Sequence, residues 1–111
     1  MKICVTGGRA FTDVAAVFRV LDLLRPTHVA QGGAPGLDAI ARDWCAVRGV
    51  ACVTYPADWS LHGRRAGPIR NREMLSEERP DALIVFPGNA GTRDCKAQAR
   101  AMGVLVLEVA A

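Results

Sequence analysis

Long apolar runs are missing from this sequence of 111 residues. No stretch approaches the roughly 20 apolar residues that a membrane-spanning helix needs. The first residues carry one charge and a short apolar run that ends at Gly7, without the longer apolar core of a secretory signal. We therefore expect a protein that stays in the cytoplasm and makes no contact with a membrane.

Closely spaced cysteines are missing as well. The four cysteines are Cys4, Cys45, Cys52 and Cys95, and none of them forms the CxxC pair of a zinc site or a redox motif. Three lie in apolar segments, where cysteine usually acts as a small hydrophobic residue. The sequence thus predicts reduced packing cysteines and implies no metal site, although a divalent cation carried by a bound phosphate stays open.

Two familiar nucleotide-binding fingerprints are absent. No Gly-Lys-Ser/Thr follows a glycine loop, and the first loop has the pair Gly7-Gly8 in place of a GxGxxG pattern. An ordinary P-loop ATPase or a dinucleotide oxidoreductase is therefore disfavoured. The net charge of +3 suits an anionic ligand but is mild for a nucleic-acid binder.

Short apolar runs alternate with helical patterns along the chain. The pattern predicts strands at about residues 2–6, 28–31, 50–55, 82–86 and 104–108. Runs such as residues 82–86 are apolar on both faces, as expected for parallel strands covered by helices. We predict one domain over residues 1–111, an α/β Rossmann-like three-layer sandwich whose five-stranded parallel sheet has the order 3-2-1-4-5.

Two helix starts and one loop are also predicted. Pro68 is expected at the first position of the third helix, and the fourth helix is expected from about Thr92 to Gly103. The longest irregular segment is residues 56–67, and a loop of that length in a small domain is usually functional.

Four loops follow the first four predicted strands, and three of them carry glycines. In a parallel sheet such loops share the carboxyl edge, where ligands bind. Glycines let the backbone approach a ligand, and the helix starts that follow favour an anion. We predict one site for a nucleotide-derived ligand at this edge, formed by Gly7, Gly8, Arg9, Gly32, Gly33, Ala34, Asp38, Asp58, Trp59, Arg70, Asn71, Pro87, Gly88, Gly91 and Thr92.

Some of these side chains suggest specific roles. Arg9 and Arg70 are candidates to neutralise phosphate, since Arg70 is expected in the first turn of a helix that begins at this edge. Thr92 is expected to cap the last helix and to contact phosphate. Asp38 either favours the helix dipole or bonds a ribose hydroxyl, and Trp59 either stacks on a base or closes a small core. Asp58 is the other candidate for the sugar, whereas His62 is interpreted as a surface histidine.

The same loops resemble a known family. Five segments carry the resemblance in chain order: Gly7-Gly8-Arg9 with Phe11 and Asp13; Gln31-Gly32-Gly33-Ala34 with Gly36 and Asp38; Pro56-Ala57-Asp58-Trp59; Gly67-Pro68 with Arg70-Asn71; and Phe86-Pro87-Gly88 with Gly91-Thr92. Together they resemble the YspA-type, cpYpsA-related branch of the SLOG superfamily, which includes the DNA-processing Smf/DprA proteins and the Lonely Guy enzymes. The resemblance implies a Rossmann-like fold, binding of nucleotides or their derivatives, and a bacterial or phage origin.

The resemblance also bears on catalysis. Lonely Guy enzymes cleave the N-glycosidic bond of nucleoside monophosphates with a Pro-Gly-Gly-x-Gly-Thr-x-x-Glu motif, whose carboxylate is catalytic. Residues 87–95 read Pro-Gly-Asn-Ala-Gly-Thr-Arg-Asp-Cys, so Cys95 stands at the position of the glutamate. Asp94 comes one residue early, and on a helix it is expected to point about 100° away from the glutamate direction. The phosphate-binding half of the motif is therefore kept and the catalytic half is not.

Three hypotheses about function follow. The first is a binding or sensing module for a nucleotide-derived ligand, with no further cofactor required. The second is a phosphoribohydrolase that uses Asp94 or Asp58 as its catalytic carboxylate. The third, single-stranded nucleic-acid binding, ranks last because the chain is small and its net charge of +3 is mild for a nucleic-acid binder. The high apolar content makes a homo-oligomer the expected assembly.

Overall fold

A computed structural model describes residues 1–110 as strands that alternate with helices, and Ala111 lies outside the described residues. The strands are β1 (Lys2–Thr6), β2 (His28–Gln31), β3 (Ala51–Thr54), β4 (Ala82–Val85) and β5 (Leu105–Glu108). The helices are α1 (Val14–Leu24), α2 (Leu37–Arg48), α3 (Trp59–His62), α4 (Ala66–Glu78) and α5 (Ala90–Ala101), and a 3-10 turn over Gly63–Arg65 joins α3 to α4. Every predicted strand is present, and no end differs from its predicted position by more than one residue.

The five strands form one parallel sheet. Their order is β3-β2-β1-β4-β5, which confirms the predicted fold class and strand order. Ile3 of β1 pairs with Val29 of β2 on one side and with Ala82 of β4 on the other. The strand order therefore reverses between β1 and β4, and the loops after these two strands flank the crevice where ligands bind in such sheets.

The sheet is buried on both faces because helices pack on each side of its central strands. Ile3 and Val5 pack with residues of α1 and α2, whereas Cys4 between them packs with residues of α4 and α5. All four residues of β4 are buried. The protein thus has three layers, with two helices on each face of the sheet.

Three expectations about local structure are corrected. α4 begins at Ala66, so Pro68 is its third residue, a first-turn position that needs no donated hydrogen bond. α5 begins at Ala90 after Asn89, so Thr92 is its third residue and not its cap. The segment 56–67 is not irregular throughout, because the Asp58 side chain accepts a hydrogen bond from Leu61 N at 3.1 Å and caps α3.

None of the helices within residues 1–110 combines the length and the apolar character of a membrane span.

Candidate functional site

A cleft of about 310 Å³ opens at the carboxyl edge of the sheet, a volume at the lower end of small-molecule sites. The loops after β1 and β2, the 3-10 turn and the first turns of α4 and α5 line it. Most of the predicted site residues meet there: Gly7, Arg9, Gly32, Ala34, Asp38, Trp59, Arg70, Asn71, Gly91, Thr92 and Asp94.

Five predicted residues, Gly8, Gly33, Asp58, Pro87 and Gly88, do not line the cleft. Two of them join the loops around it: Gly8 N donates to Pro87 O at 2.9 Å, and Gly8 O accepts from Leu37 N at 3.1 Å. The backbone of this one residue, through its N–H and its C=O, thereby connects the loop after β1 with the loop after β4 and the start of α2. The role of this glycine is to hold the cleft walls in place.

The start of α5 offers free hydrogen-bond donors to the cleft. Its cap residue, Asn89, makes no side-chain capping bond. The backbone N–H groups of Ala90, Gly91 and Thr92 have no hydrogen-bond partner within residues 1–110, and all three residues line the cleft. Unbonded amides at a helix N-terminus, with the positive end of the helix dipole, form a site for an anion.

Three arginines line the cleft, and they differ in what they bond. Arg9 and Arg64 are exposed, and neither makes an ion pair or a side-chain hydrogen bond within the described part of the chain. Both guanidinium groups are therefore available to an anionic ligand. Arg64 was missed at the sequence level, where its only signal was its place in the segment 56–67.

Arg70 is the third arginine, and its guanidinium is already engaged. Its Nη1 donates to Gly32 O at 2.6 Å and to Tyr55 O at 3.4 Å, and its Nε donates to Asn71 Oδ1 at 2.9 Å. The expected placement in the first turn is wrong, because Arg70 is the fifth residue of α4. Arg70 holds the loop after β2 against α4, and this bonding leaves it fewer donors for a ligand than Arg9 or Arg64 has.

Trp59 forms part of the cleft wall. The indole packs beside Gly67, where an added Cβ would lie 3.4 Å from the ring atom Cη2. Half of the residue, 50%, stays exposed. Of its two expected roles, closing a small core and stacking on a base, the exposed ring surface favours stacking.

Asp38 is a buried carboxylate at the cleft. Its exposed fraction is 7%, and its Oδ2 accepts from Ala34 N at 3.2 Å. Burial raises the pKa of Asp38 above its ordinary value, although the Ala34 hydrogen bond and the positive charge of Arg70 work in the opposite direction. Asp58, by contrast, is exposed and lies outside the cleft, and the hydrogen bond from Ser60 Oγ is the largest cause of its lowered pKa.

Asp94 lines the cleft, and on α5 it stands about 100° round the helix from the buried Cys95, as expected from its place one residue earlier. α5 packs on the sheet through Cys95 and Ala99, so Asp94 and Gln98 lie on the flank that meets α4. Asp94 Oδ2 accepts from Asn71 Nδ2 at 3.0 Å and from Gln98 Nε2 at 2.8 Å. Cys95 is fully buried, and burial raises its thiol pKa to about 12, as for a packing cysteine.

The four cysteines are free thiols, three of them buried, in agreement with their prediction as packing residues. Within residues 1–110, no group of three or more His, Cys, Asp or Glu side chains is arranged to hold a metal ion.

A parallel sheet of order 3-2-1-4-5 with a cleft at its carboxyl edge defines a Rossmann-like α/β protein. The chain belongs to the YAcAr family, the YspA, cpYpsA-related SLOG family, whose model matches residues 1–62. It is also similar to the Gene 61 protein of Mycobacterium phage D29. The two sequences are 34% identical over an alignment of 118 residues, and the match covers 96% of this chain and 94% of the phage protein.

Two solved structures share the fold. DNA processing protein A (DprA) from Streptococcus pneumoniae superposes with a TM-score of 0.80 at 17% identity, covering 99% of this chain. The chain spans 50% of the length of that DprA chain. The glycotransferase of kitacinnamycin superposes with a TM-score of 0.56 at 14% identity, over 96% of this chain and 29% of the other.

Proposed function

We propose that the chain binds a nucleotide or a nucleotide-derived ligand in the cleft at the carboxyl edge of the sheet. One observation carries the proposal: unbonded amides of α5 and the unpaired guanidinium groups of Arg9 and Arg64 line the same cleft as a half-exposed indole, Trp59. Two sources of positive charge suit a phosphate, and a flat aromatic surface suits a base. Membership of a SLOG family supports a nucleotide- or nucleic-acid-binding role in general.

The parts of the cleft suggest how such a ligand lies. The phosphate binds the N–H groups of Ala90, Gly91 and Thr92, where no side chain competes as a cap. Arg9 and Arg64, at the exposed rim, neutralise its charge or that of a second phosphate. The base stacks on Trp59. A ligand of this size fits a cleft of about 310 Å³ with part of it exposed.

Binding is tested by native mass spectrometry of the purified protein and by calorimetric titration with nucleoside 5′-mono- and diphosphates and dinucleotides. We expect at least one of these nucleotides to bind. The double variant Arg9→Ala/Arg64→Ala should bind that nucleotide at least about tenfold more weakly, since a hydrogen bond to a charged group contributes about 1.5–3 kcal/mol. Arg19→Ala/Arg42→Ala is the matched control, because both residues are exposed and lie outside this cleft.

If both double variants bind the nucleotide equally weakly, the loss of affinity comes from the change in net charge alone, and the proposed site is contradicted. Absence of binding across the whole panel would contradict the proposed function. A 12-nucleotide single-stranded DNA serves as a further probe, because the fold is shared with a DNA-processing protein. Tight, salt-sensitive DNA binding without nucleotide binding would favour the nucleic-acid hypothesis instead.

Hydrolysis of a nucleoside monophosphate is a second candidate function, and the position of Asp94 favours it. A carboxylate beside a phosphate site has the placement that a phosphoribohydrolase needs. Incubation with the four nucleoside 5′-monophosphates, followed by chromatography, tests for free base. Release of base that Asp94→Ala abolishes would make the protein an enzyme, provided that Asp43→Ala, exposed on α2 outside the cleft, leaves the release intact. Nucleotides recovered intact leave it a binding module.

A further inference from the structure

Three carboxylates were candidates to contact the ligand, and the structure separates them. Asp58 lies outside the cleft, and its side chain bonds Leu61 N and Ser60 Oγ within α3. Asp38 lines the cleft but is only 7% exposed, and its Oδ2 is bonded to Ala34 N. Asp94 lines the cleft and is half-buried. It is the most accessible of the carboxylates that line the cleft.

The Asp94 carboxylate is held by only one of its two oxygens. Oδ2 accepts both amide hydrogen bonds, from Asn71 Nδ2 at 3.0 Å and from Gln98 Nε2 at 2.8 Å. Oδ1 accepts no hydrogen bond from any group within residues 1–110. Since an ionised carboxylate can only accept hydrogen bonds, Oδ1 is a fixed acceptor for a ligand donor.

The two amides that hold Asp94 are themselves anchored. Asn71 is 4% exposed, and its Oδ1 accepts from Arg70 Nε at 2.9 Å while its Nδ2 also reaches Gly91 O at 3.3 Å. Gln98 Nε2 also donates to Pro68 O at 3.0 Å. These bonds connect α4 and α5 across the floor of the cleft and limit the rotation of the Asp94 side chain.

The position of Asp94 along α5 indicates which part of a nucleotide reaches it. Asp94 comes two to four residues after Thr92, Gly91 and Ala90, so it lies about 3–6 Å further along the helix axis than the amides proposed to bind phosphate. In a nucleoside 5′-phosphate the sugar is the group next to the phosphate, and the base lies beyond it. The hydrogen-bond donors of that sugar are its 2′- and 3′-hydroxyl groups.

We infer that Asp94 Oδ1 accepts a hydrogen bond from a ribose 2′- or 3′-hydroxyl, so that the cleft selects ribonucleotides over nucleotides that lack that hydroxyl. The inference rests on the proposed function, because it places the phosphate at the start of α5. Loss of a hydroxyl leaves a fixed charged acceptor without its partner, and this loss is costlier than loss of a neutral contact.

The test uses the wild-type protein and a set of probes that differ only in the sugar. The four ribonucleoside 5′-diphosphates are titrated by calorimetry beside their 2′-deoxy and 3′-deoxy counterparts. For each base that binds, we expect one deoxy form to bind at least about tenfold more weakly than the ribose form. Binding of both deoxy forms within about twofold of the ribose form overturns the inference and leaves the proposed function intact. If no diphosphate binds but another nucleotide of the panel does, its own deoxy forms replace the probes; if nothing binds, the proposed function and the inference both fail.

A variant links the selectivity to Asp94. Asp94→Asn removes the charge and keeps the side-chain shape, and we expect the preference for the ribose form to fall to within about twofold. Asp43→Asn is the matched control, since Asp43 is exposed on α2 outside the cleft, and it should keep the full preference. If Asp94→Asn weakens ribose and deoxy forms equally, Asp94 does not contact the sugar. The wild-type comparison decides the inference by itself if Asp94→Asn fails to fold.

Discussion

Gly36 shows how a single residue shapes the cleft. Its φ is +78°, and a methyl group at this position would meet the backbone oxygens of Gly8 and Arg9. The start of α2 lies against the loop after β1 for this reason, with Leu37 N bonded to Gly8 O. Only glycine has both the backbone freedom and the small size that this contact requires.

Gly36→Ala should therefore lower the free energy of unfolding by more than about 3 kcal/mol, because backbone strain of roughly 1–3 kcal/mol adds to overlap with two main-chain oxygens. Gly49→Ala is the control: its φ is also positive, at +68°, but nothing lies within 4 Å of an added Cβ. We expect it to cost about 1 kcal/mol. Urea unfolding of both variants measures the difference, and equal costs would show that backbone strain alone accounts for the effect.

The buried carboxyl of Asp38 gives a prediction about pH. Burial raises its pKa, so its contribution favours folding below the unfolded pKa of about 3.9 and is lost as the pH rises through the folded value. Asp38→Asn has no charge to bury and can still accept from Ala34 N. The variant should therefore melt at a higher temperature than the wild type at pH 8, with the two melting temperatures converging near pH 4. Circular dichroism melts from pH 4 to pH 8 test this, and a difference that grows towards acid pH would contradict it.

Sequence reasoning identified cleft residues better than it identified their roles. Arg9 was predictable because it lies inside a glycine loop after a strand. The engagement of Arg70 by Gly32 O and Tyr55 O was not, because those carbonyl groups are 38 and 15 residues away in sequence. The hydrogen bonds of Asp94 to Asn71 and Gln98 were not predictable either, since the helix face that packs on the sheet is set by tertiary contacts and not by alignment to a motif.

At the scale of elements, the strands were predictable and the helix starts were less so. β4 is buried at every position, and a continuous apolar run signals such a strand directly. α3 has four residues, which is too short for any periodic pattern. α4 begins with Ala66 and Gly67, and neither residue signals a helix start as Pro68 does.

α3 also gives a prediction, because Asp58 caps the short helix that carries Trp59. Asp58→Ala should loosen residues 59–62, speed their amide hydrogen exchange and weaken nucleotide binding several-fold, since the stacking surface is no longer held. Asp58→Asn should retain most of both properties, because an Asn side chain caps a helix about as well as Asp. The hydrogen bonds from Ser60 and Leu61 lower the pKa of Asp58, so the cap acts at neutral pH and is lost only as the pH falls through that lowered value. Exchange rates in the Ala variant that match the wild type would contradict this role.

At the scale of the whole molecule, the strand order was predictable because short connections and right-handed crossovers leave few arrangements of five parallel strands.

The outer strands β3 and β5 have exposed first and last residues, unlike the buried β4. Large apolar side chains also lie exposed on the surface, among them Leu23 at 82%, Leu61 at 71% and Leu105 at 58%.

These exposed apolar side chains agree with the expected homo-oligomer, which stays a prediction. Size-exclusion chromatography with light scattering should give a mass of at least twice the 11.8 kDa of one chain. A mass of one chain at every concentration up to the millimolar range would contradict it.

The backbone of Gly8, whose N–H donates to Pro87 O and whose C=O accepts from Leu37 N, has a thermodynamic consequence for binding. Three of the segments around the cleft share these bonds, so their backbone is already ordered in the absence of a ligand. Ordering a loop on binding costs conformational entropy, and a preorganised site avoids most of that cost. Affinity in this protein should thus depend mainly on the direct contacts that the ligand makes, and the backbone should move little when it arrives.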